Sequence, residues 1–348
     1  MTTPMQITIN NITCHSIDDV KRAASAEVWT FVSEYLDSND YVIAHTSGST
    51  GNPKEIRLPK ADMRASALLT NEFFGLNANS LFYLNLSPRY IAGKMMIVRA
   101  LELGASLIEE EPSNTPLANY DGLLRISLAA FVPSQIQYLL NNPEKLALID
   151  SMIIGGGKLA PRLEHWLAEF GANAYMTYGM TETCSHVALA PASKLPMPFK
   201  ALGDVSFETD RRGCLVINAP HLTAQQFVTN DVAELVDSKN FYWRGRFDNV
   251  INTGGIKVFP EEIEQKLAPL FPSIRFFITS QPSEKWGEEL VLALEYSSLP
   301  PGTVKRGDVQ PALIEKMKTI LPPHSIPRKY AATNHFQETK TQKIIRKI

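Results

Sequence analysis

The stretch His45-Thr46-Ser47-Gly48-Ser49-Thr50-Gly51-Asn52-Pro53-Lys54 joins glycines, hydroxyl side chains and a closing lysine between two short apolar runs. Residues 41–44 before it predict a buried strand, and residues 56–58 after it predict a returning strand. Glycines let a loop turn so that several backbone N–H groups converge, which makes an anion-binding nest. With its hydroxyl donors and Lys54, the loop is predicted to hold the phosphates of a nucleotide. The alternative from composition alone is a solvated turn.

The loop differs from a Walker A phosphate loop. A Walker A loop ends in Gly-Lys-Ser/Thr at the start of a helix, where the hydroxyl meets the metal. Here Asn52-Pro53-Lys54-Glu55 leads towards a strand instead. A hairpin-like phosphate loop is therefore expected.

Composition sets the class of protein. The 348 residues suffice for two domains, and 44% hydrophobic with 20% charged residues is ordinary for a soluble globular protein. A net charge of −2 gives no support for a general nucleic-acid or anionic-membrane binder. No apolar run approaches the roughly 20 residues of a membrane span, and the first residues do not resemble a secretory signal. The three cysteines lack disulfide or zinc spacing, which predicts a reduced, cytoplasmic location.

Strand-like and helix-like segments alternate along the first half of the chain. Helices are predicted over 18–36, 60–74, 95–103, 134–140, 161–170, 261–267 and 308–320, and strands over 6–9, 41–44, 56–58, 81–86, 105–108, 127–132, 152–154, 174–177, 205–209, 213–219, 233–236, 276–279 and 290–295. The alternation predicts a largely parallel α/β sheet, which binds ligands beyond the carboxyl ends of its strands. The phosphate loop, the turn at Gly155-Gly156-Gly157-Lys158 and the segment from Tyr178 follow such strands.

The run Tyr178-Gly179-Met180-Thr181-Glu182-Thr183 is a second candidate for nucleotide chemistry. Its aromatic ring can stack on adenine, and Gly179 allows a close approach. Thr181 can donate to an α-phosphate, while Glu182 can hold Mg²⁺, which prefers hard oxygen ligands. The alternative is a polar loop after a strand, with Tyr178 packed in the core. For Gly155-Gly156-Gly157 the alternative is tight packing, since no Gly-x-Gly-x-x-Gly is present.

Two motifs, Ser-Gly-Ser-Thr-Gly-x-Pro-Lys at 47–54 and Tyr-Gly-x-Thr-Glu at 178–182, resemble those of the adenylate-forming enzymes. That superfamily includes acyl-CoA synthetases, luciferases and peptide-synthetase adenylation domains. The resemblance implies an α/β domain over 1–246, parallel-rich and shortened at its front, and a small mobile α+β domain over 247–348. It implies ATP, Mg²⁺ and CoA as cofactor and co-substrates, a carboxylic acid as substrate, and formation of an acyl-adenylate followed by transfer to CoA.

The resemblance also assigns nucleotide-binding positions. They are Thr46, Ser47, Gly48, Ser49, Thr50, Gly51, Lys54, Gly155, Gly156, Gly157, Tyr178, Gly179, Met180, Asp231 and Arg246. Thr229-Asn230-Asp231 resembles the family's Thr-Gly-Asp, whose Asp accepts hydrogen bonds from both ribose hydroxyls; the alternative is a solvated Asp in a loop. Asp248 falls on the hinge, and Gly254, Gly255 and Lys257 fall on the side that faces CoA.

The end of the chain supplies the implied catalyst. Lys340-Thr341-Gln342-Lys343-Ile344-Ile345-Arg346 resembles the family's Lys-Thr-x-x-Gly-Lys-Ile-x-Arg, and Lys343 falls on its catalytic lysine. Gln342 stands where glycine is usual and the spacing from Lys340 is shorter, so Lys340 is the rival candidate. The catalytic set implied is Lys343, Thr181 and Glu182, with Glu182 as metal ligand. Without the resemblance, a basic tail is typical of a solvated surface.

The run 178–185 and the chain length are most similar to the o-succinylbenzoate–CoA ligases of menaquinone synthesis. Tyr90 stands where many relatives have His beside the acyl pocket. Because o-succinylbenzoate is a dianion, its second carboxylate needs donors. The acid-binding candidates are Arg89, Tyr90, Lys94 and Arg99. Three alternatives stay open: a ligase for another aryl or short acyl acid, a carrier-protein loading enzyme, and a non-catalytic nucleotide-binding relative. The family also allows a homodimer.

Overall fold

A computed structural model describes residues 5–45, 55–157, 159–192, 197–338 and 344–347. These residues form a thirteen-stranded mixed sheet, a six-stranded sheet and a two-stranded hairpin, with helices packed on the sheets. The predicted fold class, a large α/β part followed by a smaller α+β part, is confirmed. No helix within these ranges is long and apolar enough to cross a membrane.

The strands and helices have the following bounds. In chain order the strands are β1 (Ile7–Ile9), β2 (Ile12–Cys14), β3 (Tyr41–His45), β4 (Glu55–Pro59), β5 (Leu81–Leu84), β6 (Ser106–Glu109), β7 (Leu128–Phe131), β8 (Met152–Ile154), β9 (Ala174–Met180), β10 (Ser185–Pro191), β11 (Phe199–Ala201), β12 (Ser206–Thr209), β13 (Cys214–Asn218), β14 (Gln226–Leu235), β15 (Asn240–Arg246), β16 (Ile251–Thr253), β17 (Ile256–Val258), β18 (Phe276–Ser283), β19 (Gly287–Glu295), β20 (Val304–Asp308) and β21 (Lys329–Thr333). The α-helices are α1 (Ile17–Ala23), α2 (Ala26–Leu36), α3 (Lys60–Phe73), α4 (Ile91–Leu103), α5 (Pro133–Leu140), α6 (Pro143–Leu146), α7 (Pro161–Phe170), α8 (Pro260–Leu267) and α9 (Pro311–Lys318).

The large sheet is parallel in one half and antiparallel in the other. Strands β9, β8, β7, β5, β6 and β1 lie side by side and parallel, with β2 added antiparallel at the edge. Strands β10, β11, β15, β14, β13 and β12 continue the sheet beyond β9 in antiparallel order. The predicted parallel sheet is therefore correct for the first half, where helices connect the strands.

Helices cover the parallel half on both faces, as parallel sheets require. Within β5, Phe82 packs into the core formed with α2, α3 and α4, whereas Tyr83 packs into the core formed with α5 and α7. All four residues of β5 are buried. The continuous apolar run of this strand follows from burial on both sides.

The hairpin β3–β4 flanks the stretch that predicted the phosphate loop. Its ladder runs from Tyr41 opposite Pro59 to His45 opposite Glu55, which confirms both predicted strands. Residues 46–54, which include Lys54 and the other six loop positions assigned above, lie outside the described residues. The hairpin itself packs Val42, Ala44 and Leu58 into the large core.

The predicted N-terminal helix over 18–36 is wrong in one respect, because two helices occupy the region. Ser16 begins α1 with a capping box, in which its hydroxyl accepts from Asp19 N and the Asp19 carboxylate accepts from Ser16 N. Ala24 is extended, and Ser25 then caps α2 by accepting from Val28 N at 3.3 Å. Two serine caps thus divide an apolar periodicity that alone predicts one helix.

Other predicted bounds also differ. β9 runs on to Met180, β14 contains Thr229-Asn230-Asp231, α4 begins four residues before the predicted start, and Asp308 ends β20 rather than beginning a helix. Polar residues in these strands make the sequence look like a loop. They form strands because pairing with neighbouring strands satisfies their backbone N–H and C=O groups, and this pairing cannot be seen in the sequence. The alternative of a solvated Asp231 in a loop is therefore wrong about the loop, because Asp231 lies in a strand.

The smaller sheet has its own core. Its strands lie in the order β17-β16-β19-β21-β20, and β18 pairs with β19. The hydrophobic core of this part includes Ile263, Leu292 and Met317. The hairpin β16–β17 turns at Gly254 and Gly255, and α8 begins at Pro260, one residue before the predicted range 261–267. Proline suits that first helical position because its missing N–H is not needed there.

Candidate nucleotide and acid site

Four residues assigned to the nucleotide and hinge from the sequence lie together at the edge of β14 and β15, and we call them the nucleotide cluster: Tyr178, Asp231, Arg246 and Asp248. Asp231 and Arg246 are direct partners in the antiparallel ladder. Tyr178 Oη donates to Asp231 Oδ2 at 2.8 Å, and Arg246 Nη1 lies 3.6 Å from Asp231 Oδ1. Arg246 Nη2 donates to Asp248 Oδ2 at 3.1 Å. Residues separated by up to 70 positions therefore share one charged surface.

The phenol of Tyr178 is fixed as a donor. Burial raises the pKa of Tyr178 well above its usual value, and the neighbouring Asp231 carboxylate raises it further. The ring also packs against Phe241, with centroids 5.0 Å apart, and against Phe199 at 5.7 Å. Tyr178 thus belongs to the core on one side, while its hydroxyl orients Asp231 on the other. Its stacking on adenine stays a prediction.

The motif after Tyr178 forms a single 3-10 turn, Thr181–Thr183. The Thr183 hydroxyl closes it, accepting from Met180 N at 3.0 Å and lying within hydrogen-bond distance of Met180 O and Ser185 O. The turn lies against β4, one arm of the hairpin that carries the phosphate-loop stretch. The fold therefore places the Tyr178 motif against β4, the strand that follows the phosphate-loop stretch in the sequence.

Glu182 fits a magnesium ligand. Its side chain is half-buried and makes no hydrogen bond or ion pair with the residues that the structure describes. Within those residues no group of three His, Cys, Asp or Glu side chains could hold a metal ion. One carboxylate is nevertheless the donor set that suits Mg²⁺ carried in with nucleotide phosphates, since this ion keeps waters and phosphate oxygens as its other ligands.

Two of the predicted glycines are required by close packing of the protein itself. A Cβ on Gly179 would lie 2.0 Å from the carbonyl oxygen of Ser185, so β9 and β10 approach too closely for any side chain. A Cβ on Gly155 would lie 2.6 Å from Thr177 Oγ1. The packing alternative thus holds for Gly155, whereas Gly156 and Gly157 meet only side chains at 3.5 Å and 3.8 Å. Nucleotide contacts at these glycines stay predictions.

The four acid-binding candidates have different surroundings. Arg89 is exposed and pairs with Glu27, and Tyr90 is 44% exposed at the start of α4. Lys94 is buried, with Nζ 3.6 Å from Glu34 Oε2 and 4.3 Å from the centre of the Phe31 ring. Three of the four are therefore either on the surface or already next to an acid.

Arg99 is the fourth candidate, and the residue is only 1% exposed. It donates from Nη1 to Met96 Sδ at 3.5 Å and from Nη2 to Ser185 Oγ at 3.3 Å, while Nε has no partner among the residues that the structure describes. No carboxylate in the described part of the chain forms an ion pair with it. Burial lowers the pKa of Arg99 to about 9. A buried charge without a counter-charge is costly, and an anion at this point would relieve it.

Reasoning from sequence missed two residues beside Arg99, Ser185 and His186. His186 is 4% exposed, and Cys184 and Ser185 before it have positive φ angles of 53° and 103°. Positive φ in residues other than glycine is uncommon and often marks a functional segment. The only signal in the sequence was the continuation of the Tyr178 motif into Cys184-Ser185-His186.

The predicted residues of the C-terminal part fall in several places. Asp248 lies in the 3-10 turn Phe247–Asn249 directly after β15, and Gly254, Gly255 and Lys257 form the tip and return of the β16–β17 hairpin. Lys340, Gln342 and Lys343 lie outside the described residues. Arg346 of the terminal motif donates from Nη2 to Glu264 Oε2 at 2.8 Å. This ion pair attaches residues 344–347 to α8.

Comparison with known proteins identifies relatives of the chain. The family model described as AMP-binding enzyme matches residues 6–207. The 2-succinylbenzoate–CoA ligase of Enterococcus faecalis is 27% identical over 278 residues, which cover 70% of this chain and 57% of that one. The chain thus spans little more than half the length of that relative.

Two solved structures resemble the fold. An acyl-CoA synthetase (AMP-forming)/AMP-acid ligase II-like protein from Dyadobacter fermentans is 31% identical with a TM-score of 0.60, and the match covers 92% of both chains. The two chains are therefore of similar length. The O-succinylbenzoate coenzyme A synthetase of Bacillus subtilis, solved with ATP and a magnesium ion, is 20% identical with a TM-score of 0.74 and coverages of 87% of this chain and 68% of that one.

Proposed function

This chain belongs to the AMP-binding enzyme family, and from that premise we propose that it activates a carboxylic acid with ATP and passes the acyl group to CoA. The acid that we propose is o-succinylbenzoate, so that the product is o-succinylbenzoyl-CoA for menaquinone synthesis. The observation that carries the proposal is the nucleotide cluster, in which Tyr178 and Arg246 hold the Asp231 carboxylate from two sides.

The nucleotide cluster supports binding of a ribose. Asp231 Oδ2 accepts from Tyr178, and the side chain is still 18% exposed, so its lone pairs remain available to ribose hydroxyls. A carboxylate can accept at about four lone-pair positions, and a donor such as Tyr178 uses one of them. The nearby Arg246 and Asp248 then fix the position of the strand end. The hydroxyl pair of a nucleotide is the chemistry that matches this acceptor.

The reaction places two anions side by side. A carboxylate oxygen attacks the α-phosphorus of ATP, the new O–P bond forms, and the bond to pyrophosphate breaks. Binding must therefore align the two groups and neutralise their charge. In the proposal, the phosphate-loop stretch with Lys54 binds the departing pyrophosphate, Thr181 donates to the α-phosphate, and Lys343 binds the oxygens where charge concentrates. Glu182 holds Mg²⁺, which supplies positive charge at the phosphates when it is bound.

Arg99 supports an acid with a second negative group. o-Succinylbenzoate carries two carboxylates, of which only one reacts. A buried guanidinium without an acidic partner matches the other, because it can bind a carboxylate with two parallel hydrogen bonds. Lys94 is already close to Glu34, and Arg89 to Glu27, which favours Arg99 among the basic candidates. A ligase for another aryl or short acyl acid with a second anionic group is the second candidate.

The transfer step is proposed to use a movement of residues 247–348 against residues 1–246 about Asp248. The thiol of CoA attacks the acyl carbon, a C–S bond forms, and AMP leaves as a good leaving group. In that arrangement the hairpin tip at Gly254, Gly255 and Lys257 faces the acyl-adenylate and the pantetheine arm. A cytoplasmic location and a homodimer stay predictions.

The experiment that tests the function is pyrophosphate release from ATP and Mg²⁺, with o-succinylbenzoate, benzoate, octanoate or no acid, and with or without CoA. We expect release that depends on o-succinylbenzoate and becomes catalytic with CoA. Release that needs a carrier protein instead of CoA would favour a loading enzyme. A folded protein that binds ATP but releases no pyrophosphate with any acid would contradict the proposal and leave a nucleotide-binding relative.

The two half-reactions separate the role of Lys343 from that of Lys340. Lys343→Ala is expected to slow adenylation by at least about 100-fold, as the loss of one transition-state donor does. Thioester formation from added acyl-adenylate should continue. Lys340→Ala is the matched control in the same segment and should leave the adenylation rate within a few-fold of the wild type. A larger loss in Lys340→Ala than in Lys343→Ala would mean that Lys340 is the catalytic lysine.

A further inference from the structure

A chain of polar side chains connects Arg99 on α4 to α3 through β10. Arg99 Nη2 lies 3.3 Å from Ser185 Oγ, Ser185 Oγ lies 3.3 Å from His186 Nδ1, and His186 Nε2 lies 3.1 Å from Thr70 Oγ1. Thr70 Oγ1 donates to Ser66 O at 3.3 Å. Arg99, His186, Thr70 and Ser66 are buried, and Ser185 is half-buried. Such a chain inside a core is retained only if each member has a partner.

The directions of these hydrogen bonds follow from their donors. The Thr70 hydroxyl can donate its single proton to Ser66 O, which leaves Thr70 Oγ1 free to accept from His186 Nε2–H. In a neutral imidazole the other nitrogen, Nδ1, is then an acceptor. The Ser185 hydroxyl donates to it, and the lone pairs of Ser185 Oγ accept from Arg99 Nη2–H. The opposite arrangement would point two donors at Ser185 Oγ and leave its own proton without an acceptor among the described residues.

We propose that His186 is a positioning residue for acid recognition: through the hydroxyl of Ser185 it fixes the orientation of the Arg99 guanidinium towards the second anionic group of the substrate. The inference rests on the proposed function, since it concerns the acid that Arg99 binds. Without an acceptor at His186 Nδ1, the Ser185 hydroxyl proton would turn towards the Arg99 N–H group that now donates to Ser185 Oγ. The guanidinium would then lose its one oxygen partner in the described residues.

Two further observations support the rigidity that this role needs. Ser185 has a φ of 103°, and the Thr183 hydroxyl lies 2.8 Å from its carbonyl oxygen, which also touches Gly179 of β9. Ser185 is therefore fixed by the same turn that carries Thr181 and Glu182. Burial lowers the pKa of His186 well below its usual value, and the charge of Arg99 lowers it further, so the imidazole is neutral at physiological pH.

Two substitutions at His186 separate its nitrogens. In His186→Asn the side-chain oxygen stands near the position of Nδ1 and still accepts from Ser185. In His186→Gln the amide reaches the position of Nε2 and can donate to Thr70, but nothing accepts from Ser185. We expect His186→Gln to raise KM for o-succinylbenzoate about tenfold, the effect of one hydrogen bond to a charged group, and His186→Asn to raise it less than about threefold. KM for ATP should stay within about twofold in both, because within the described residues the His186 side chain bonds to Ser185 and Thr70 and not to Thr181, Glu182 or the nucleotide cluster.

Ser185→Ala gives a second route should a His186 variant fail to fold. It is expected to raise KM for o-succinylbenzoate about tenfold, and the double variant with His186→Gln should raise it no further, because both changes break one chain. Additive effects, equal effects of Asn and Gln, or a parallel rise in KM for ATP would overturn the inference and leave His186 a packing residue. If the wild type is active and the variants give any of those results, the proposed function stands and only the inference about His186 is wrong. If the wild type releases no pyrophosphate, the proposed function and the inference are both wrong.

Discussion

Lys94 and Arg99 lie five residues apart on the same helix, and both are buried, yet their surroundings differ. Lys94 lies near Glu34 and over the ring of Phe31, so the protein itself supplies its counter-charge. Among the described residues, the Arg99 guanidinium has only the sulfur of Met96 and the hydroxyl of Ser185 as partners, both uncharged. The sequence marks both simply as basic residues of an apolar helix. This difference is the reason why we propose Arg99, and not Lys94, as the residue that binds the second carboxylate of the substrate.

The largest expected effect is on activity. Arg99→Leu should lower kcat/KM for o-succinylbenzoate by at least about 100-fold, because it removes one partner of a desolvated charge pair in the complex. Lys94→Met should lower it less than about threefold, since Lys94 is paired within the protein. Initial rates of pyrophosphate release at saturating ATP give both values. Similar losses of kcat/KM in the two variants would contradict the proposal that Arg99, and not Lys94, binds the second carboxylate.

The same two variants should change stability in opposite directions. Arg99→Leu replaces an unpaired buried charge with an apolar side chain, so unfolding free energy should rise by about 1–3 kcal/mol. Lys94→Met leaves Glu34 without its cation and should lower it by about 1 kcal/mol, a small cost because Glu34 is partly exposed. Thermal midpoints of the ligand-free proteins test this. A destabilised Arg99→Leu variant would mean that Arg99 is a structural residue.

The imidazole next to Arg99 should make stability depend on pH. Folding holds the pKa of His186 well below its usual value through burial and Arg99, so the unfolded chain binds the extra proton. Its contribution is therefore complete above about pH 6.5 and is lost progressively as the pH falls below that value. His221 acts in the same direction, because burial lowers its pKa against the opposing charge of Asp62.

Thermal midpoints at pH 7.5, 6.5 and 5.5 measure this dependence. The His186→Asn variant should show a smaller fall between pH 6.5 and 5.5 than the wild type, with the remainder due to His221 and other groups. Identical slopes in the two proteins would show that His186 does not titrate in the unfolding equilibrium.

The smallest expected effect belongs to Arg89. Its side chain is 76% exposed and its Nε lies 2.6 Å from Glu27 Oε1, an arrangement in which ion pairs contribute little. Arg89→Ala should change KM for o-succinylbenzoate and the thermal midpoint only marginally. A loss of activity comparable with that of Arg99→Leu would mean that Arg89, and not Arg99, binds the second carboxylate of the substrate.

Much of the fold could be read from the sequence because it is encoded locally. The strands on both sides of the phosphate-loop stretch, the turn at Gly254 and Gly255, and the start of α8 at Pro260 all have short-range signals. The boundaries of β14 and the break at Ala24 have no such signal. Polar residues are not typical of a strand, and a serine cap inside an apolar periodicity is not typical of a helix end. Pairing across the sheet and side-chain capping decided them.

The sequence by itself determined which chemical groups are present: the loop of glycines and hydroxyls, the Tyr-Gly-Met-Thr-Glu run, Asp231, Arg246 and a helix with two basic residues. Only the tertiary structure decided which of them meet. The register of β14 and β15 puts Asp231 opposite Arg246, and the packing of α4 on β10 leaves Arg99 near Ser185 and His186 with no acidic partner in the described part of the chain. The physical reason is that residue types are local, whereas burial and counter-charges depend on contacts between distant segments.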